Sequence, residues 1–252
     1  MIDSRNKSRE GDASLPAFCI FRGGPGEKKV RETAMNAKKP LRGATFAILG
    51  DSYSTFDGWI TPGNIFYYPQ PQYVDDVLAV EDTWWHQMMT RQDMRLLFND
   101  SYSGSTVCTH VRDNQPDSSS FVWRSKEFFS NLESGKERPD YIFVFGGTND
   151  SWLDRTVGQV RFEGRNEEDL RQILPSFCFV LEHMIRQNPG SVVVLVVNTD
   201  LKPEIAEGMI AAGEHYGAVN VVLADIDKQN GHPSKLGMTQ IAQQVQAVLE
   251  KQ

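Results

Sequence analysis

The sequence predicts an α/β domain built on a parallel sheet with helices on both faces. Three observations point there. From Leu41 onward, short apolar β-rich runs alternate with amphipathic stretches. The strongest runs, Tyr141–Phe145 (YIFVF) and Val192–Val197 (VVVLVV), are apolar throughout, as strands covered on both sides must be. Small and polar residues follow each run, and beyond the carboxyl ends of the strands is where an open α/β sheet binds ligands.

The elements follow in order. Residues 1 to 40 are rich in Lys, Arg, Glu, Gly and Pro without sustained periodicity, and read as an N-terminal extension to a domain over residues 41 to 252. Ala44–Leu49 is the first strand. A helix pattern covers Thr83–Arg95, and Leu96–Phe98 is a short second strand. Ser119–Leu132 reads as a helix and Tyr141–Phe145 as the third strand. Glu167–Gln187 is helical, kinked or divided at Pro175. Val192–Val197 is the fourth strand, followed by a helix over Lys202–Tyr216 with Pro203 in its first turn. Val219–Leu223 is the fifth strand, and Ser234–Glu250 closes the domain. Between Thr55 and Asp82 lies a long irregular stretch carrying Trp59, Phe66, Tyr67, Tyr68 and Tyr73; a loop of that length in a compact domain is usually functional.

Composition narrows the function. Of 252 residues, 40% are hydrophobic and 23% charged, ordinary for a globular chain that needs no staples. The net charge of -7 leaves no basic surplus to pair with phosphates, which argues against a nucleic-acid partner. Three scattered cysteines, Cys19, Cys108 and Cys178, form no metal-ligand spacing and read as free thiols. No apolar run is long enough for a membrane span or a secretory signal, so the chain as written reads as cytoplasmic; a signal missing from it would make it secreted or periplasmic.

Acyl-transfer chemistry fits the strand ends. Gly50-Asp51-Ser52-Tyr53-Ser54 follows the first strand. Ser103-Gly104-Ser105 lies after the second, and Gly147-Thr148-Asn149-Asp150 after the third. Gly231-His232-Pro233 ends the loop after the fifth. A serine needs a base to become a nucleophile, and the oxyanion it creates needs donors. Ser52 supplies the hydroxyl and a backbone N–H, Gly104 an unobstructed N–H, Asn149 a side-chain N–H, and His232 the base. Of the other histidines, His86, His183 and His215 fall within helix patterns, while His110 follows Gly104 in a loop and is open as a substrate contact. Asp51 has a phosphoryl-transfer alternative with Thr55, but Tyr53 stands where that motif needs a second Asp. Asp51, Tyr53, Trp84 and Trp85 are candidate substrate-binding residues.

This ordered set of four blocks resembles the SGNH (GDSL) hydrolase superfamily over about residues 41 to 252. The resemblance implies a flavodoxin-like three-layer α/β/α sandwich with strand order 2-1-3-4-5. It also implies a serine esterase acting through an acyl-enzyme, with Ser52 and His232 catalytic, Ser52, Gly104 and Asn149 as oxyanion hole, and neither metal nor cofactor. The substrate expected is a small-molecule or carbohydrate ester with a short acyl group; an acyltransferase or a non-catalytic carbohydrate-binding relative is the alternative. The family usually places an Asp three residues before the histidine, and this sequence has Gln229 there. Three outcomes stay open: Asp227 reaches His232 from a longer loop, a backbone carbonyl or Gln229 holds the imidazole in a Ser-His dyad, or the enzyme is impaired.

Overall fold

The computed structural model describes residues 39–70, 72, 75–128 and 137–252. Five parallel strands, β1 (Thr45–Gly50), β2 (Arg95–Ser101), β3 (Tyr141–Phe145), β4 (Val192–Val197) and β5 (Val219–Val222), form one sheet in the order β2-β1-β3-β4-β5. Among the described residues six helices surround it: α1 (Trp84–Gln92), α2 (Phe121–Glu127), α3 (Thr148–Trp152), α4 (Ile173–Gln187), α5 (Pro203–Tyr216) and α6 (Lys235–Leu249). The doubly wound sandwich is the one implied by the sequence. Cys19, Tyr73 and nearly all of the proposed N-terminal extension lie outside the described residues.

Alternation along each strand builds two cores. Phe46, Ile48, Phe143, Phe145, Val194 and Val196 face α1 and α6, whose Trp84, Trp85, Met88, Met238, Ile241 and Val245 pack on them. Ala47, Leu49, Ile142, Val144, Val193 and Leu195 face the other way, onto α2, α4 and α5.

Several boundaries differ from expectation, each for a local reason. α1 ends at Gln92 because Asp93 turns left-handed (φ 53°), and Arg95 already belongs to β2. β2 runs on through polar Asn99, Asp100 and Ser101 because its pairing with β1 continues to Gly50 opposite Ser101. Those buried polar ends find partners: Asn99 Nδ2 donates to Ser54 O (2.8 Å) and Asn64 Nδ2 to Asp100 Oδ1 (2.9 Å). The fourth helix starts at Ile173, after a 3-10 turn over Asp169–Arg171. Pro175 therefore falls in its first turn, where no N–H is missed, and does not divide it. α2 is described only as Phe121–Glu127; the rest of the expected helix, from 129 onward, lies outside the described residues. The short α3 and a two-stranded antiparallel pair, β6 (Lys228–Gln229) with β7 (His232–Pro233), were not expected.

Topology fixes the site. β1 lies between β2 and β3, so the turn after Gly50 is flanked on both sides: Tyr102 N donates to Gly50 O (3.1 Å) and Asp51 N donates to Phe145 O (3.1 Å). Among the described residues, no helix is long and apolar enough to cross a membrane.

Candidate active site

The turn after β1 is a single 3-10 turn, Ser52–Ser54. Asp51 caps it, its Oδ1 accepting from Tyr53 N (3.0 Å). The cap holds Ser52 with its hydroxyl aimed at β7. Ser52 Oγ stands 2.9 Å from His232 Nε2. On the other side of the ring, Nδ1 lies 3.3 Å from the Asn230 carbonyl oxygen. A carbonyl can only accept, so Nδ1 carries the proton and Nε2 is left to accept from the serine hydroxyl.

His232 is presented by a tight hairpin. Gln229 pairs with His232 across a two-residue loop, Asn230-Gly231, in which both residues have positive φ (49° and 77°). This is the type I′ geometry that Asn-Gly favours. Two tyrosines grip the carbonyls on either side of the histidine: Tyr53 Oη donates to Gly231 O (2.6 Å) and Tyr68 Oη to Pro233 O (2.7 Å). The ring of Tyr67 stacks flat on the imidazole at 3.6 Å with an interplanar angle of 8°. Trp152 approaches edge-on at 5.7 Å. Desolvation in this aromatic setting pushes the imidazole down to about pKa 4, against the opposing pull of the Asn230 carbonyl and the Asp75 carboxylate; Lys228 adds to the depression.

The Asp227 carboxylate is not hydrogen-bonded to His232. Its carboxylate accepts from the Ser234 hydroxyl, which in turn caps α6 by accepting from Gly237 N (3.1 Å). Gln229 is also occupied elsewhere, its Oε1 accepting from Asp76 N (3.3 Å). Of the alternatives for the imidazole, the backbone carbonyl is the one in contact.

Gly104 adopts a left-handed conformation (φ 81°) in the loop after β2, where a Cβ would meet Gln115 Nε2 at 2.6 Å. Asn149, 2% exposed, enters from α3; its Nδ2 donates to Ser105 O (3.0 Å). Asp150 ties α3 to the loop after β2, accepting from Val107 N (2.8 Å) and Cys108 N (3.2 Å). Among the described residues, the backbone N–H groups of Ser52 and Gly104 are committed to no hydrogen bond. The arrangement holds a hydroxyl, a base and spare donors on one rim of the sheet, which is what acyl transfer to serine requires.

The remaining candidates are support rather than surface. Trp84 and Trp85 are fully buried, with indole N–H groups donating to Ser54 Oγ (3.2 Å) and Ser54 O (3.1 Å). They brace the turn of Ser52 from below and cannot line a substrate site. Tyr53 and Asp51 are fully buried as well. Burial pushes the Asp51 carboxyl up to about pKa 7, and its Oδ2 has no hydrogen-bond partner. His110 faces Arg155, its Nε2 3.1 Å from Arg155 Nη1.

A family model for GDSL-like lipase/acylhydrolase matches residues 44–249. The chain belongs to this family. It is therefore a hydrolase of the GDSL type. Two solved structures described as GDSL-like lipases, from Bacteroides uniformis and Bacteroides ovatus, are each 37% identical to this chain with a TM-score of 0.76. Both alignments cover 83% of this chain, and 97% and 99% of the respective relatives. A family two carbohydrate esterase from Clostridium thermocellum, solved as an active-site mutant, shares the fold at 14% identity and TM-score 0.55, over 85% of this chain and 65% of its own. No curated protein matches.

This GDSL-like hydrolase also surrounds His232 with residues outside the four sequence blocks. Tyr67 and Tyr68 lie in the aromatic loop, and only the fold brings them to His232. Trp152 is half exposed at the end of α3 beside the imidazole. The Asn230-Gly231 turn did have a sequence signal, because an Asn-Gly pair between short extended segments marks a hairpin.

Proposed function

We propose that the protein is a serine esterase that hydrolyses short-acyl carboxylic esters, an acetyl group on a carbohydrate being the favoured substrate. The observation that carries the proposal is the 2.9 Å contact between Ser52 Oγ and a His232 Nε2 that is free to accept a proton. The hydroxyl oxygen attacks the ester carbonyl while its proton passes to Nε2. Negative charge on the carbonyl oxygen is met by the N–H groups of Ser52 and Gly104 and by Asn149 Nδ2. Collapse of the tetrahedral intermediate expels the alcohol, which takes the proton from Nε2, and leaves an acyl-serine. Water then attacks, giving up a proton to Nε2, and the acid departs as Ser52 regains its hydrogen.

The catalytic pair is a dyad in this proposal. The Asn230 carbonyl, the Tyr67 stack and the clamped hairpin replace the carboxylate as the means of fixing tautomer and ring orientation. Support for a small acyl group and a sugar comes from the rim. Trp152 is 48% exposed there, beside His232, a flat apolar surface suited to a sugar face. The carbohydrate esterase of the same fold is consistent with that choice.

The test is Ser52→Ala assayed on p-nitrophenyl acetate, with circular dichroism to follow the fold. Loss of hydrolysis with an unchanged spectrum is expected. Full activity in the variant refutes the proposal.

A further inference from the structure

Asn149 can serve an oxyanion only if its amide is turned the right way, and the group that turns it comes from a loop outside the family motifs. Arg112 lies half-buried eight residues beyond Gly104. Its Nη2 donates to Asn149 Oδ1 (2.9 Å) and its Nε donates to Gly104 O (3.1 Å). One planar guanidinium thus bridges two of the residues that supply oxyanion donors, Gly104 in the loop after β2 and Asn149 in α3.

The consequences follow from amide geometry. With Oδ1 held by the guanidinium and one Nδ2 hydrogen given to Ser105 O, the side chain cannot flip. A flipped amide would set its N–H groups against a cation and its oxygen against a carbonyl. The second Nδ2 hydrogen remains free for the substrate oxygen. In the loop after β2, Gln115 Nε2 donates to Ser103 O (2.9 Å). A trans peptide points its N–H opposite to its C=O, so this bond sets the direction of the Gly104 N–H. The Arg112 bond to Gly104 O holds the next peptide in the same turn. A cation on Oδ1 also polarises the amide and strengthens its N–H as a donor.

We propose that Arg112 is a positioning residue for the oxyanion hole, acting through Asn149 and Gly104 without touching substrate. The role presupposes the esterase function proposed above. Its alternative is a purely structural tie of the loop between 103 and 115, which would affect folding but not turnover.

The experiment measures kcat and KM on p-nitrophenyl acetate for Arg112→Met and Arg112→Lys, alone and in an Asn149→Ala background, together with melting temperatures and inhibition by methylboronic acid, whose adduct on serine imitates the tetrahedral intermediate. Removing an oxyanion donor outright costs roughly 100- to 1,000-fold in kcat, and loss of its orientation should cost about 10- to 100-fold. So Arg112→Met lowers kcat by about that factor with KM within about twofold and weakens the boronate in parallel. Arg112→Lys, which keeps the charge but not the fork, recovers part of the loss and serves if the Met variant does not fold. In the Asn149→Ala background the same substitution costs only a few-fold, because its main target is gone.

Unchanged kcat in either folded variant, a loss confined to melting temperature or KM, or full additivity with Asn149→Ala overturns the proposal. An active Ser52→Ala protein would instead remove the esterase function itself, so the two failures are separable.

Discussion

A half-buried imidazole whose Nδ1 faces a backbone carbonyl and no carboxylate should work at unusually low pH. His232 is covered by Tyr67 and closed in by Tyr53, Tyr68 and Trp152, and its charged neighbours are Asp75 and Lys228. Desolvation dominates and brings the imidazole from 6.5 to about 4. The proposed general base is active when neutral. At pH 5 a group with pKa near 4 is about nine-tenths neutral, whereas one at 6.5 is only about 3% neutral, so activity at that pH differs by roughly 30-fold between the two cases. The assay is kcat/KM for phenyl acetate from pH 3.5 to 8, with phenol measured by chromatography, because this ratio reports groups of the free enzyme. An acidic limb near pH 4 is expected. Burial pushes the Asp51 carboxyl, next to Ser52, up to about 7, so the profile is repeated in Asp51→Asn to remove its contribution. A limb near 6.5 that survives this substitution refutes the desolvation reasoning. The same depression links to stability. Between about pH 4 and 6.5 the unfolded chain binds a proton that the folded site refuses. The contribution is full above 6.5 and erodes as pH falls towards 4, by about 3 kcal/mol in total.

Other substitutions separate support from chemistry. Asp227→Ala should lower stability by about 1 kcal/mol, through the weakened Ser234 cap, and leave kcat/KM within about threefold; a hundredfold loss of activity would show that Asp227 reaches His232 in the working enzyme. Trp84→Ala should cost about 3–5 kcal/mol in chemical denaturation with KM little changed, as a core residue does, and a KM effect without destabilisation would return it to the substrate site. Tyr67→Leu should reduce kcat about tenfold by freeing the imidazole; an unchanged kcat would mean that the clamped hairpin fixes the ring unaided.

How much of this was legible follows from the range of each interaction. The strands were legible because continuous apolar runs are local, and the polar residues after them placed Ser52, Gly104, Asn149 and His232 on one rim. The end of β2 was not, because Asn99, Asp100 and Ser101 look like a loop until pairing with β1 and contacts to Ser54 and Asn64 satisfy them. Trp84 and Trp85 were misplaced because an aromatic residue near a binding loop looks the same in sequence whether it faces substrate or core. Tyr53 could not be seen as a clamp, since its partner Gly231 is 178 positions away. Arg112 lay in an irregular loop with no pattern to single it out. The departure at Gln229 was visible, but not that the Asn230 carbonyl would take the position facing Nδ1.

The most direct measurement is mass spectrometry of the protein after exposure to a fluorophosphonate. Ser52 nucleophilicity predicts a single adduct on the peptide containing Ser52, formed far more slowly in His232→Ala. An unmodified protein, or an adduct carried by any other residue, contradicts the assignment of this serine and histidine as the reacting pair.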